Sequence, residues 1–200
     1  MSNDPRALGA ESFDHLVYIR LFEGCNLACE HCFIPANPKK RDEADLRGVP
    51  ALIANFAKPG QTILIQWHGG EPTLLGPQVI RDSIEYWLEH HPEYNWVFGI
   101  QTNLTTYSPE WRQLYLDHFW GQVGISWDPE IRLLRPGRPE TNAAFEELFW
   151  ANVDQLHVDG LTPYLVVTGT RVFFERFPNP HDFFSLMEAH HIPNGHIERL

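Results

Sequence analysis

The sequence predicts an α/β protein built on a parallel sheet, and three observations carry that reading. Short runs rich in β-branched and aromatic residues alternate with stretches of helical periodicity along the chain. Each glycine-rich or polar cluster follows the carboxyl end of one of those runs, where parallel α/β architectures assemble their sites. With 200 residues, 43% of them apolar, the chain can bury one sizeable core. Right-handed crossovers then leave two arrangements, a sheet curled into a barrel or one laid open.

The elements follow in order. The run from His15 to Phe22 is too short for a typical helix, stops at Glu23-Gly24 and reads as the first strand. After a proline-bearing loop from Ile34 to Pro38, the segment from Asp42 to Ala57 has helical spacing interrupted by Gly48 and Pro50, a broken helix. Thr62 to Trp67 is the second strand, and Pro77 opens a helix through Leu88 with Ile80, Ile84 and Trp87 on one face. Trp96 to Gln101 is the third strand. Ser108-Pro109 caps and starts a helix through His118, and Gln122 to Trp127 is the fourth strand. A helix from Thr141 to Asp159, a strand from Tyr164 to Thr168, a helix from Pro180 to His190 and a strand from His196 to Leu200 complete the alternation.

Composition narrows the function. Fifteen basic against 26 acidic residues give a net charge of −11, which repels nucleic-acid phosphates. The one basic run, Lys39-Lys40-Arg41, reads as a solvated loop, so nucleic acid is not an expected partner. The first residues are polar and no stretch approaches the roughly 20 apolar residues of a membrane span, so the expected location is cytoplasmic. Three cysteines within eight positions cannot staple distant parts of a fold and read as metal ligands.

Cys25, Cys29 and Cys32 place three thiolates on one tight loop. A four-iron cubane is ordinarily held by four cysteines, so three leave one iron open to a chelating ligand. Such an iron suits the amino and carboxylate groups of a methionine moiety, with the protein supplying position and exclusion of water. A structural zinc using His31 as fourth ligand is the alternative, although neighbours such as His31 and Cys32 seldom turn toward one tetrahedral ion. Unliganded buried cysteines are a second alternative, but these scatter instead of clustering.

The segment Cys25-Asn-Leu-Ala-Cys29-Glu-His-Cys32 resembles, position by position, the hallmark of the radical S-adenosylmethionine (radical SAM) superfamily. His31 stands where that family usually has another aromatic ring before the third cysteine. The resemblance implies a 4Fe-4S cluster and S-adenosylmethionine as cofactors, on an incomplete β/α barrel of six units with a curved parallel sheet. It covers residues 15–200 as a core domain, with residues 1–14 as a lead-in.

Further motifs extend the resemblance. His68-Gly-Gly-Glu-Pro72 follows the second strand; taken alone it reads first as an ordinary turn, though glycines admit close backbone approach and Glu71 is an acceptor for an ammonium group. The family's Gly-Gly-Glu-Pro motif assigns Gly69, Gly70 and Glu71 to the amino end of S-adenosylmethionine. Gln101-Thr-Asn103-Leu resembles the Gln-Thr-Asn-Gly signature, and Gly124-Ile-Ser126-Trp-Asp-Pro129 the Ser-x-Asp-Gly-Pro signature, of the sulfatase-maturase and peptide-maturase group. Leu104 and the absent glycine after Asp128 depart from it. Ser126 and an arginine further on then contact ribose and carboxylate; Arg135 matches after gaps, with Arg132 and Arg138 as rivals. His68 either touches substrate or plugs the turn. The pairs His90-His91 and His190-His191 lie at expected helix ends and read as structural.

The resemblance implies a radical maturase acting on a peptide or protein, reduced by a donor such as flavodoxin or ferredoxin. Other readings are an activase or small-molecule enzyme of the same superfamily, or a non-catalytic zinc or iron-sulfur module. Maturases of this group usually continue into a cysteine-rich domain, so the sequence reads as a truncated core that stops within its sixth strand.

Overall fold

The computed structural model describes residues 13–20, 24–32, 34 and 46–199. The expected end of the first strand at Leu21 and Phe22, the Lys39-Lys40-Arg41 run, the helix start at Asp42 and the strand end at Leu200 lie outside those residues.

The strands are β1 (His15–Arg20), β2 (Thr62–His68), β3 (Asn95–Thr102), β4 (Gln122–Ser126), β5 (Thr162–Thr168) and β6 (Asn194–Glu198). Between them run helices α1 (Val49–Ile53), α2 (Pro77–His90), α3 (Pro109–His118), α4 (Thr141–Val158), α5 (Arg171–Arg176) and α6 (Pro180–Ala189). Among the described residues the strands form one sheet in the order β1-β2-β3-β4-β5-β6, each neighbour pair parallel. The result is the expected open, curved α/β half-barrel. The ladder between β3 and β4 pairs Gln101 with Gly124 and Thr102 with Ile125, so those two strands join at their carboxyl ends.

Side-chain alternation decides which face packs. In β2, Ile63, Ile65 and Trp67 are fully buried, while Thr62, Leu64, Gln66 and His68 remain half-buried on the other face. Successive strand residues point to opposite sides, so the first set meets the helices and the second faces the concave side. Ile80, Ile84 and Trp87 of α2 supply the matching apolar stripe. The rings of Trp67 and Trp87 stack at 5.8 Å and 7°, and Trp87 Nε1 donates to the Leu46 carbonyl at 2.9 Å.

Local chemistry sets the helix boundaries. Ser108 Oγ accepts from the Trp111 amide and Asn179 Oδ1 from the His181 amide, each followed by a proline at the first helical position. The expected helix to Ala57 is shorter than its spacing suggested. A 3-10 turn at Leu46–Gly48 passes into α1, which carries Pro50 in its first turn and ends at Ile53. Helix α5 and a 3-10 turn at Pro72–Leu75 were not anticipated. Both are too short to show a helical period, although Thr170 caps α5 by accepting from the Phe173 amide at 3.1 Å.

Candidate active site

The concave face encloses a cavity of about 1520 Å³. Gln66, His68, Gln101, Ser126 and Thr168 border it from the strands, and Cys25, Cys29 and Cys32 border it from the loop after β1.

The cysteine loop is stitched to the segment after β4. Ala28 N donates to the Leu133 carbonyl at 2.8 Å and Glu30 N to the Ile131 carbonyl at 3.0 Å. Leu27 is buried beneath the loop, and its amide donates to Cys25 Sγ at 3.3 Å. All three thiols are free, Cys25 and Cys29 half-buried and Cys32 exposed. Burial pushes the Cys25 thiol up and that of Cys29 up to about 11, a penalty on the thiolate that a bound cation reverses. Among the described residues no three His, Cys, Asp or Glu side chains converge on the position of one metal ion.

The turn after β2 is built around a buried carboxylate. Gly69 has φ 131°, a backbone conformation that favours glycine, and its amide donates to His68 Nδ1 at 2.9 Å. That bond leaves the neutral imidazole with its proton on Nε2. Burial, with Arg20 nearby, holds His68 below the usual imidazole range. Glu71 is 1% exposed. Its Oε1 accepts from Thr73 N at 3.1 Å, Thr73 Oγ1 at 2.6 Å and Thr102 Oγ1 at 2.6 Å, and its Oε2 from Asn103 N at 2.7 Å. The carboxylate thus joins the ends of β2 and β3. Burial pushes its carboxyl up, against the pull of those donors.

Asn103 reaches back toward the cysteines: its Nδ2 donates to Asn26 Oδ1 at 2.9 Å and lies 3.8 Å from Cys25 Sγ. Leu104, which stands in place of a glycine, adopts φ 62°. That conformation is strained for a side chain of its kind, and it is held by full burial and by Asn152 Nδ2, which donates to its carbonyl at 2.8 Å. On the neighbouring strand Gln101 Nε2 donates to Ser126 Oγ at 2.7 Å. Gly124 makes room for this, since a Cβ there would lie 2.5 Å from Gln101 Oε1.

Of the three candidate arginines the structure brings Arg132 to the cavity. Arg135, expected at the site, is exposed and does not border it, nor does Arg138. The reason is a buried anchor: Asp128, wholly enclosed, accepts from Arg132 Nε at 2.8 Å and Nη2 at 2.6 Å. Sequence reasoning quoted Asp128 only as part of a signature; its spacing of four from Arg132 was the available signal. His31 lies beside the same carboxylate, with Nε2 at 3.4 Å and Nδ1 buried without a hydrogen-bond partner among the described residues. His190 bonds Asp154 and stacks on Trp150, and His191 stacks on His157, both away from the cavity.

A parallel half-barrel whose cavity collects three free thiols, a glycine turn and strand-end amides defines the core of a metal-cluster enzyme. The match is specific: a family model described as the radical SAM superfamily covers residues 19–149, and the chain belongs to that superfamily. Its cofactors are those of the family, a 4Fe-4S cluster and S-adenosylmethionine. Among curated relatives, a serine-type anaerobic sulfatase-maturating enzyme of Klebsiella aerogenes is 27% identical over 131 residues, 63% of this chain and 32% of that protein. A cysteine-type enzyme of Clostridium novyi is 29% identical over 111 residues, 52% of this chain and 29% of that one. The chain therefore spans about a third of the length of these relatives. Among solved structures, native anSMEcpe with bound AdoMet superposes with a TM-score of 0.72 at 19% identity, covering 92% of this chain and 51% of its own. SuiB of Streptococcus suis bound to S-adenosylmethionine gives 0.58 at 15%, covering 98% and 41%.

The donor set fits the cluster. Three thiols on one stitched loop open into a cavity lined by polar strand ends, and burial makes the charged forms of Cys25 and Cys29 dependent on a cation.

Proposed function

We propose that this chain is the core of a radical SAM maturase that abstracts hydrogen from a peptide or protein side chain. The observation that carries the reading is the meeting, around one cavity, of Cys25, Cys29 and Cys32 with the Gly69–Gly70 turn, Asn103, Ser126 and Arg132. When bound, the cluster supplies one electron that cleaves the sulfonium of S-adenosylmethionine to methionine and a 5′-deoxyadenosyl radical.

The chain's own residues hold and orient. Cys25, Cys29 and Cys32 would hold three irons of the cluster and leave the fourth for the amino acid end of the cofactor. The Gly69–Gly70 turn and Asn103 would receive its amino group, with Glu71 locking the turn from behind. Ser126, oriented by Gln101, would face the ribose, and Arg132, which borders the cavity, would take the carboxylate in the place expected for Arg135. His31 packs the cysteine loop against Asp128.

Two things support a peptide substrate. The cavity of about 1520 Å³ exceeds the ~300–1,000 Å³ typical of small-molecule sites, so a chain segment fits beside the cofactor. The neighbours include anSMEcpe with bound Kp18Cys peptide and SuiB bound to precursor peptide SuiA.

Anaerobic reconstitution tests the reading. The expected product is a brown protein with about four irons per chain that, once reduced, releases 5′-deoxyadenosine and methionine. Cys29→Ala loses both iron and cleavage. Bound zinc with no cleavage sinks the proposal. Transfer of deuterium from a labelled cysteine or serine peptide into 5′-deoxyadenosine tests the substrate class separately.

A further inference from the structure

We propose that Asp128 is a positioning residue: one buried carboxylate sets the cysteine loop and the Arg132 guanidinium in register, joining the cluster end of the site to the end that receives the cofactor carboxylate. The inference rests on the function proposed above.

Asp128 is wholly enclosed, and its two oxygens are divided between tasks. Oδ1 accepts from the Thr168 amide at 2.6 Å, which fixes the carboxylate to the carboxyl end of β5. Oδ2 takes both Nε and Nη2 of Arg132, at 2.8 and 2.6 Å. A guanidinium is a planar fork of five N–H donors. Holding two of its nitrogens on one fixed oxygen sets the plane of the whole group and the direction of the remaining donors. Arg132 borders the cavity, so that direction governs what it offers to a ligand.

The same oxygen lies 3.4 Å from Nε2 of His31, between Cys29 and Cys32. The backbone bonds from Ala28 to Leu133 and from Glu30 to Ile131 straddle Arg132 itself. The strip that carries the arginine is therefore the strip to which the cysteine loop is sewn. A shift of the loop moves Arg132, and Asp128, anchored on β5, resists both. A pair present only for stability gives a different pattern: exchanging both buried charges for neutral groups is often tolerated, and it leaves the neighbouring site undisturbed.

The test uses the full chain, reconstituted anaerobically. Asp128→Asn keeps the shape and an acceptor for Thr168 but removes the charge that pins Arg132. Iron per chain, thermal midpoint, S-adenosylmethionine affinity by equilibrium dialysis, and the electron paramagnetic resonance spectrum of the reduced cluster with and without S-adenosylmethionine are measured. Iron loading is expected to match wild type, while the thermal midpoint falls because the variant leaves the Arg132 charge unpaired. Affinity is expected to fall by about tenfold or more, because a charge-assisted pair orients the ligand-binding group. The spectral response to S-adenosylmethionine is expected to shrink with it. In a cycle with Arg132→Met, the double variant is expected to bind within about twofold of either single one, as residues acting as a unit are not additive. Where Asp128→Asn does not fold, Asp128→Glu decides the matter, because it keeps the charge but moves it by one methylene, and it is expected to load iron and lose affinity in the same way. Wild-type affinity and an unchanged spectral response in either Asp128 variant overturn the proposal, as do losses that simply add. A wild-type chain that assembles its cluster and fails to cleave S-adenosylmethionine overturns the function proposed above instead.

Discussion

Replacing Glu71 by glutamine separates two roles that its place in the Gly-Gly-Glu-Pro turn allows. Each carboxylate oxygen faces an obligate backbone donor, Thr73 N on Oε1 and Asn103 N on Oε2. Whichever way a glutamine amide turns, its NH2 group meets one of those N–H groups. One buried donor is left unsatisfied, at ~1–3 kcal/mol, and the bonds that survive lose their charge assistance. Relief of the buried charge offsets part of this, leaving a net loss of about 2–4 kcal/mol. For a chain of this length that corresponds to a fall of about 4–16 °C in Tm. Thermal unfolding by circular dichroism of anaerobically prepared protein, with S-adenosylmethionine binding measured alongside, reads both effects. A Tm within about 2 °C of wild type refutes the argument that this carboxylate ties β2 to β3. If affinity collapses while Tm holds, Glu71 is an ammonium acceptor and not a structural hub.

Other outcomes follow from single contacts. Gly124→Ala places a Cβ 2.4 Å from the Ile100 carbonyl oxygen and 2.5 Å from Gln101 Oε1. A backbone oxygen cannot swing away, so urea unfolding is expected to show a loss of about 1–3 kcal/mol. S-adenosylmethionine affinity is expected to fall with it as Gln101 leaves Ser126. Gly48→Ala meets nothing within 4 Å among the described residues at φ −77°, and is expected to gain about 0.4–1 kcal/mol in the same assay. Trp87→Phe opens a void beside Trp67 and strips the Leu46 carbonyl of its donor, for a loss of about 1.5–4 kcal/mol. Arg135→Ala, at an exposed position off the cavity, is expected to leave S-adenosylmethionine affinity within about twofold of wild type and stability within ~0.5 kcal/mol.

The strands were readable because short runs of β-branched and aromatic residues such as Thr62 to Trp67 stand out in the sequence, and the cysteine loop because its three thiols lie within eight positions. What stayed hidden depends on contacts between distant positions. Thr102 and Asn103 meet Glu71 across more than thirty residues, a relation with no local trace. The choice among Arg132, Arg135 and Arg138 turned on an irregular loop, where no periodicity says which side chain faces inward. Leu104 shows the same limit from the other side. Glycine is the comfortable residue at φ 62°, and only burial and the Asn152 contact explain how leucine is accommodated.

The strict alternation of β2 has an evolutionary consequence. Ile63, Ile65 and Trp67 answer to the helices, whereas Gln66 and His68 border the hollow and answer in part to whatever enters it. Selection for a new substrate and selection for a folded chain therefore act on different letters of the same strand. A descendant that rewrites every second residue keeps its interior intact while exploring new targets, which is how one scaffold can serve many reactions without being rebuilt.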